Sequence, residues 1–112
     1  MIAIARLAAL SGAIAVIAGA FGAHIAVGEA QQWLKTGGEY QMVHAVAALA
    51  ARRYPRSAAL MLGGSVLFAA TLYAMALGAP HWLGAVTPIG GVGMIAGWCC
   101  LALSYNGRTD RN

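Results

Sequence analysis

Long apolar runs with almost no charge are the feature that most limits what this chain can fold into. The segments 2–26, 57–77 and 82–105 contain one Lys, Arg, Asp or Glu between them, Arg6. Each run reaches the roughly 20 residues that a helix needs to cross the apolar part of a bilayer. Over the whole chain 9% of residues are charged and 61% are hydrophobic, whereas soluble domains have about a quarter and about half. The sequence therefore predicts an integral membrane protein.

A fourth, shorter segment, 37–53, completes the predicted fold. As a helix it is about 25 Å long, which spans a bilayer when its polar ends reach the headgroups. We therefore predict an all-α membrane protein, a single four-helix transmembrane domain over residues 1–112. Its helices form an up-down antiparallel bundle and cover 2–26, 37–53, 57–77 and 82–105. Residues 29–35 are predicted to form a short interfacial segment, and Asn106-Gly107 to end the last helix.

The segment Thr36–Ala45, TGGEYQMVHA, concentrates polar residues in an otherwise apolar chain. Thr36 and Glu39 have the T-x-x-E spacing of a capping box, in which each side chain accepts a hydrogen bond from the other's backbone amide. This spacing predicts that the second helix starts here. Capping does not explain the polar residues that follow.

A polar cluster is predicted where the first two helices meet, from His24, Tyr40, Gln41 and His44, with Thr87 approaching from the fourth helix. Polar groups at membrane depth favour a functional hypothesis, and three interpretations are open. The cluster is a hydrogen-bond network between helices, a metal site using both imidazoles and Glu39, or a contact for a quinone, a haem or a proton relay. We adopt the first and predict no metal and no cofactor. The alternative is a quinone-like or metal-binding site at His24 and His44.

Two helices carry faces of small residues, which allow close helix packing in lipid. On the first helix they recur every four residues, at Ser11, Ala15, Gly19 and Ala23. On the fourth, Gly93 and Gly97 form a GxxxG motif. These faces pack the bundle internally or bind a partner protein. Thr87-Pro88 should also disturb the fourth helix, because proline leaves the carbonyl of Gly84 without its usual donor. The result is a simple kink or a break that brings backbone polar groups near the histidines.

Basic residues lie at the ends of the apolar runs rather than in one patch, so the net charge of +4 indicates topology and not nucleic-acid binding. Six arginines fall on one side of the predicted bundle and Lys35 on the other. The positive-inside rule then places both termini in the cytoplasm. The six are Arg6, Arg52, Arg53, Arg56, Arg108 and Arg111.

Four ordered motifs carry a family resemblance: GAFGAH at 19–24, W-x-x-T-G-x-x-Y-Q-x-x-H-A at 33–45, WLGAVTPIGG at 82–91 and AGW at 96–98. Together they resemble the small bacterial inner-membrane family called domain of unknown function 423, which is related to eukaryotic transmembrane protein 256. The resemblance implies a four-helix membrane protein and brings no reaction with it.

No catalytic constellation or phosphate-binding motif is present in the sequence, and the adjacent Cys99 and Cys100 suit small apolar fillers better than a disulfide. We therefore expect a protein that is not an enzyme. It is predicted to be a structural or accessory subunit in the bacterial inner membrane. Its expected partners are the lipid bilayer and other membrane subunits, or further copies of itself.

Overall fold

The computed structural model describes residues 2–105, which form four α-helices and one short 3-10 helix, with no strand among them. Helix α1 covers Ile2–His24, α2 Gly28–Ala50, α3 Pro55–Ala76 and α4 Thr87–Ser104, and the 3-10 helix covers His81–Ala85. The predicted all-α class is confirmed. Asn106, Gly107, Arg108 and Arg111 lie outside the described residues.

Within residues 2–105, three segments are long and apolar enough to cross a membrane: Ile2–His24, Pro55–Ala76 and His81–Ser104. Helix α2 is as long as α1, with 23 residues. It differs in carrying Glu29, Lys35 and Glu39 along its first half. By length and composition, then, three of the four predicted spans are found, and α2 is the exception.

Helix α2 begins at Gly28, so the predicted cap at Thr36 and Glu39 is wrong. Its N-cap residue is Val27, in an extended conformation and without a side-chain cap. Residues 29–35 are the first turns of this same helix rather than a separate segment. A continuous helix needs no second start, and the backbone amides near Thr36 bond within the helix. The helix ends at Ala50, short of the predicted residue 53.

The paired glycines Gly37 and Gly38 serve packing rather than a helix start. A Cβ on Gly37 would lie 2.7 Å from Cε1 of Tyr73, and one on Gly38 would lie 3.3 Å from the carbonyl oxygen of Ala15. Their missing side chains therefore let a tyrosine ring of α3 and the backbone of α1 approach α2. This requirement explains two adjacent glycines inside a helix, where each costs up to about 1 kcal/mol in water.

A glycine with positive φ ends α3. Gly78 has φ +103°, its amide donates to Met75 O at 3.0 Å, and the amide of Ala79 donates to Ala74 O at 2.9 Å. This pair of bonds is the Schellman motif, in which the left-handed residue is usually glycine.

The predicted helix 82–105 is divided near its proline. Residues 81–85 form the 3-10 helix, and α4 starts at Thr87 with Pro88 in its first turn. Because proline has no N–H, it suits the first turn of a helix better than the interior. Thr87 Oγ1 donates to Leu83 O at 3.2 Å across the change of helix type.

Helices that follow one another in the chain pack closely, whereas α1 touches α3 only slightly. On α1 the buried residues alternate at spacings of three and four: Ala8, Ser11, Ala15, Ala18 and Gly22. Gly19 is half-buried and Ala23 is exposed, so Ala23, predicted as part of this face, does not pack within the chain. A four-residue repeat rotates by about 40° at each step, which turns the predicted stripe away from α2.

The contact between α3 and α4 is made by glycines. A Cβ on Gly90 would lie 2.6 Å from Gly64 O, one on Gly93 would lie 3.2 Å from Gly64 Cα, and one on Gly97 would lie 2.9 Å from Met61 N. The two backbones are therefore nearly in contact. Gly90, Gly93 and Gly97 of α4 are therefore used for packing within the chain.

Candidate functional site

Gln41 links three helices through its side-chain amide. It is 3% exposed on the face of α2 between α1 and α3. Its Nε2 donates to Ser11 Oγ of α1 at 2.9 Å, and its Oε1 accepts from the Tyr73 hydroxyl of α3 at 2.6 Å. Gly37, one turn earlier, makes room for the same tyrosine ring. Both ends of the amide are thus bonded, as a buried polar group requires.

His44 links α2 to α4, and both of its ring nitrogens are bonded. Nδ1 lies 2.7 Å from Tyr40 O, and Nε2 accepts from Trp98 Nε1 at 2.9 Å. A carbonyl only accepts and an indole N–H only donates, so the hydrogen lies on Nδ1 and the ring is neutral. With its lone pair directed at the indole, Nε2 offers nothing to a metal while this bond is present.

A third polar pair joins α3 to the start of α4. Thr71 Oγ1 and Thr87 Oγ1 are 2.6 Å apart, both buried. Because Thr87 donates its single hydrogen to Leu83 O, Thr71 is the donor in this pair, and its hydrogen is shared between Thr87 Oγ1 and Phe68 O, which lies 2.9 Å away. These two hydroxyls belong to α3 and α4 and do not bond to Gln41 or His44.

The predicted cluster therefore separates into three interhelical contacts, and the expected meeting of His24 with His44 is wrong. His24 is exposed at the end of α1, while His44 is 5% exposed and turned towards α4. The reason is packing: α2 directs His44 away from α1, towards Trp98. Among residues 2–105 no three His, Cys, Asp or Glu side chains come close enough to hold a metal ion.

An aromatic groove lies above His44, between α2 and α4. The Tyr40 ring is parallel to the His44 ring at a centroid distance of 6.3 Å and lies 4.8 Å from the Phe68 ring. Trp98 meets His44 edge-on at 5.8 Å. The groove measures about 400 Å³.

A second groove runs between α1 and α3, where these helices barely touch. It measures about 560 Å³, and Ser11 and Gln41 contribute to its lining together with apolar side chains. The apolar lining residues are Ile4, Leu7, Leu10, Ile14, Ala59, Leu62, Gly63 and Val66.

Three residues of these contacts, Thr71, Tyr73 and Trp98, are absent from the predicted site. Each is a hydrogen-bonding side chain within an apolar run that has no charge. This placement is the sequence signal that could have identified them. Trp98 is 54 residues from His44, so no local spacing relates the two. Chemically, the three contacts fix the helices against one another, since the Gln41 amide and both His44 nitrogens are already bonded.

Comparison with known proteins finds relatives that are named as membrane proteins. The family model described as "Protein of unknown function (DUF423)" matches residues 18–91. A UPF0382 membrane protein of Haemophilus influenzae is 42% identical over 86% of this chain and 87% of its own length. The UPF0382 inner membrane protein YgdD of Escherichia coli is 39% identical over 84% and 82%. YwdK, a UPF0382 membrane protein of Bacillus subtilis, is 36% identical over 88% and 91%. No solved structure matches significantly.

Proposed function

The chain belongs to the DUF423 family, as the sequence motifs predicted, and on that premise we propose that it is a non-enzymatic accessory subunit of the bacterial inner membrane. Its groove between α1 and α3 receives a transmembrane helix of a partner subunit. The family description and the names of the relatives indicate no enzymatic activity. The name of the Escherichia coli relative and the three apolar spans support the inner membrane as its location.

The observation that carries this proposal is a pair of small residues that the chain itself leaves open. Ala59 and Gly63, one turn apart on α3, are both exposed and line the groove. A Cβ on Gly63 would meet nothing within 4 Å. Small residues four apart let a second helix approach closely in lipid. Gly90, Gly93 and Gly97 of α4 already contact α3, whereas Ala59 and Gly63 remain open to a partner.

The arrangement of polar side chains supports a structural role. The Gln41 amide is bonded at both ends, and so is the His44 ring. Bonds of this kind between membrane helices are worth about 0.6–1.7 kcal/mol each. General acid–base chemistry instead needs a group within reach of a substrate proton. The polar atoms of these two side chains are bonded to Ser11 and Tyr73, and to Tyr40 and Trp98.

Filling the groove should remove the partner while leaving the fold intact. Gly63→Leu adds a side chain where there is open space, so we expect the protein to keep its stability and to run at a lower mass on native gels of solubilised membranes. Gly91→Leu is the matched control, since a Cβ there also meets nothing within 4 Å and Gly91 lies in α4. An unchanged mass for Gly63→Leu, or an equal loss for Gly91→Leu, contradicts the proposal.

We also propose that α2 is the fourth span and that both termini face the cytoplasm. Support comes from the close packing of α2 on both α1 and α3 and from the arginines in and beside the turn that joins α2 to α3. Lys35 lies in the opposite half of α2. Arg108 and Arg111, which strengthen the charge bias, lie outside the described residues.

Cysteine labelling tests this topology. In a Cys99→Ala, Cys100→Ala background, a membrane-impermeant maleimide added to the periplasmic side should label His81→Cys and leave Arg53→Cys unlabelled. Both positions are exposed. Labelling of Arg53→Cys from the periplasm, with His81→Cys protected, inverts the topology and rejects it.

A further inference from the structure

The turn between α2 and α3 concentrates positive charge beside the start of a membrane span. Arg52, Arg53 and Arg56 are all exposed there. Arg52 Nη1 donates to Leu49 O at 2.8 Å, which ties that side chain to the end of α2. Within residues 2–105 the carboxylate side chains are Glu29 and Glu39, both in the first half of α2. The positive charge of Arg53 and Arg56 therefore has no acidic residue of the turn beside it.

The same turn presents the N-terminus of α3, a helix of 22 residues. Pro55 is in its first turn, and Ala58 N is bonded to Tyr54 O at 3.0 Å. The amides of Arg56 and Ser57 precede that first intrahelical bond, as amides at a helix start do. Such amides, together with the helix dipole, favour an anion.

A cavity of about 310 Å³ opens at this point, lined by Arg53, Arg56 and Ser57 with Cys100 and Ser104 of α4. Ser57 is 1% exposed, and its Oγ has no hydrogen-bond partner among the described residues. An unsatisfied buried hydroxyl costs about 1–3 kcal/mol. Rotation about one side-chain bond turns the Ser57 hydroxyl, so an acceptor oxygen in this cavity would satisfy it.

We propose that this cavity binds the phosphodiester of an anionic phospholipid. Two guanidinium groups, two helix-start amides and one unbonded hydroxyl are the donors that phosphate oxygens prefer. The start of the apolar helix α3 places them at the surface of the bilayer, where lipid phosphates lie and where basic residues attract anionic lipid. The site is separate from the groove between α1 and α3, so the two proposals succeed or fail independently.

Lipid binding to the detergent-solubilised full chain, followed by native mass spectrometry, tests the proposal. We expect phosphatidylglycerol to bind at least tenfold more tightly than phosphatidylcholine. At about fivefold per arginine, Arg53→Gln with Arg56→Gln should weaken phosphatidylglycerol binding about 25-fold. Ser57→Ala should weaken it about tenfold, as expected for a hydrogen bond to a charged group. Arg6→Gln, near the start of α1, is the matched control and should bind nearly as the wild type does.

Several results overturn the proposal. Equal affinity for the two lipids removes the role of the net negative charge, because both headgroups carry a phosphodiester and only that of phosphatidylcholine balances it with a quaternary ammonium. A loss for Arg6→Gln that matches the loss for a single Arg53→Gln or Arg56→Gln variant shows a general charge effect. Unchanged binding by Ser57→Ala shows that the lipid phosphate does not occupy the cavity. Displacement of the lipid by millimolar inorganic phosphate assigns the site to a soluble phosphate instead. Circular dichroism of every variant separates loss of binding from loss of fold.

Discussion

Replacing Gly90 with alanine is expected to lower the free energy of unfolding by about 3 kcal/mol, the upper part of the range for overpacking a core. The added Cβ would lie 2.6 Å from Gly64 O and 2.6 Å from Phe68 N. Both are backbone atoms of α3, so no side-chain rotation relieves the clash and the two helices must separate. Separation weakens the rest of the α3–α4 contact, including the bond between Thr71 and Thr87.

The neighbouring Gly91 provides the control. Its Cβ would meet nothing within 4 Å, so Gly91→Ala should not destabilise the protein and should raise the unfolding free energy by at most about 1 kcal/mol, the difference in helix propensity. Equilibrium unfolding in mixed micelles of a mild detergent and sodium dodecyl sulfate, followed by circular dichroism, gives both values. Equal effects at the two positions would show that the tight contact between α3 and α4 does not exist.

Replacing Gln41 with leucine is expected to cost about 1–3 kcal/mol. The substitution keeps most of the side-chain volume but removes the bonds to Ser11 and Tyr73, each worth about 0.6–1.7 kcal/mol in a membrane. It also leaves both hydroxyls without their partner in a buried position, which adds to the loss. The same unfolding measurement gives the value.

A double-mutant cycle with Tyr73→Phe separates this bond from general packing. If the hydroxyl bonds to Gln41, then Tyr73→Phe costs clearly less in the Gln41→Leu background than in the wild type. Fully additive losses would mean that the two side chains do not interact. Thr71→Val combined with Gln41→Leu is the matched control, and those losses should add because the two residues share no hydrogen bond.

The all-α class follows from sequence because it depends on local composition. Runs such as 57–77 contain no charge over a length sufficient to cross a bilayer, and lipid leaves a helix as the simplest way to bond every backbone group. The local sequence also locates the end of α3, because a glycine such as Gly78 and a proline such as Pro80 end helices near their own positions. Family membership was likewise predicted from four short motifs.

The start of α2 was missed because its signals compete with distant contacts. Thr36 and Glu39 have the spacing of a cap, and two glycines between them suggest an interruption. The glycines are instead required by Tyr73, 36 residues later in the chain, and by the backbone of α1. Nothing within the segment reveals that requirement. The local signal for the turn between α1 and α2 was Gly28, a glycine whose φ is +66°.

The sequence analysis predicted hydrogen bonds between helices, but it named only some of the residues that form them. The sequence indicates that Gln41 and His44 need partners within the bundle, which is a general property of buried polar groups. Which partner each one finds depends on the rotation of its helix. A rotation that turns His44 towards α4 places Trp98 beside it and leaves His24 at the surface. Helix rotation is set by packing over the whole length of α2.

Site-specific photo-cross-linking tests the proposed role of the groove most directly. Leu10 lines the groove and is 62% exposed, whereas Val92 on α4 is 65% exposed. With a photoreactive residue at each position in turn, we expect position 10 to form a protein adduct of one defined mass in native membranes. Position 92 forms none, and Gly63→Leu abolishes the adduct at position 10. An adduct twice the mass of the chain identifies a second copy as the partner, and any other defined mass identifies a different subunit. Absence of a protein adduct at position 10, or equal adducts at both positions, would contradict the proposal that this protein binds a partner helix between α1 and α3.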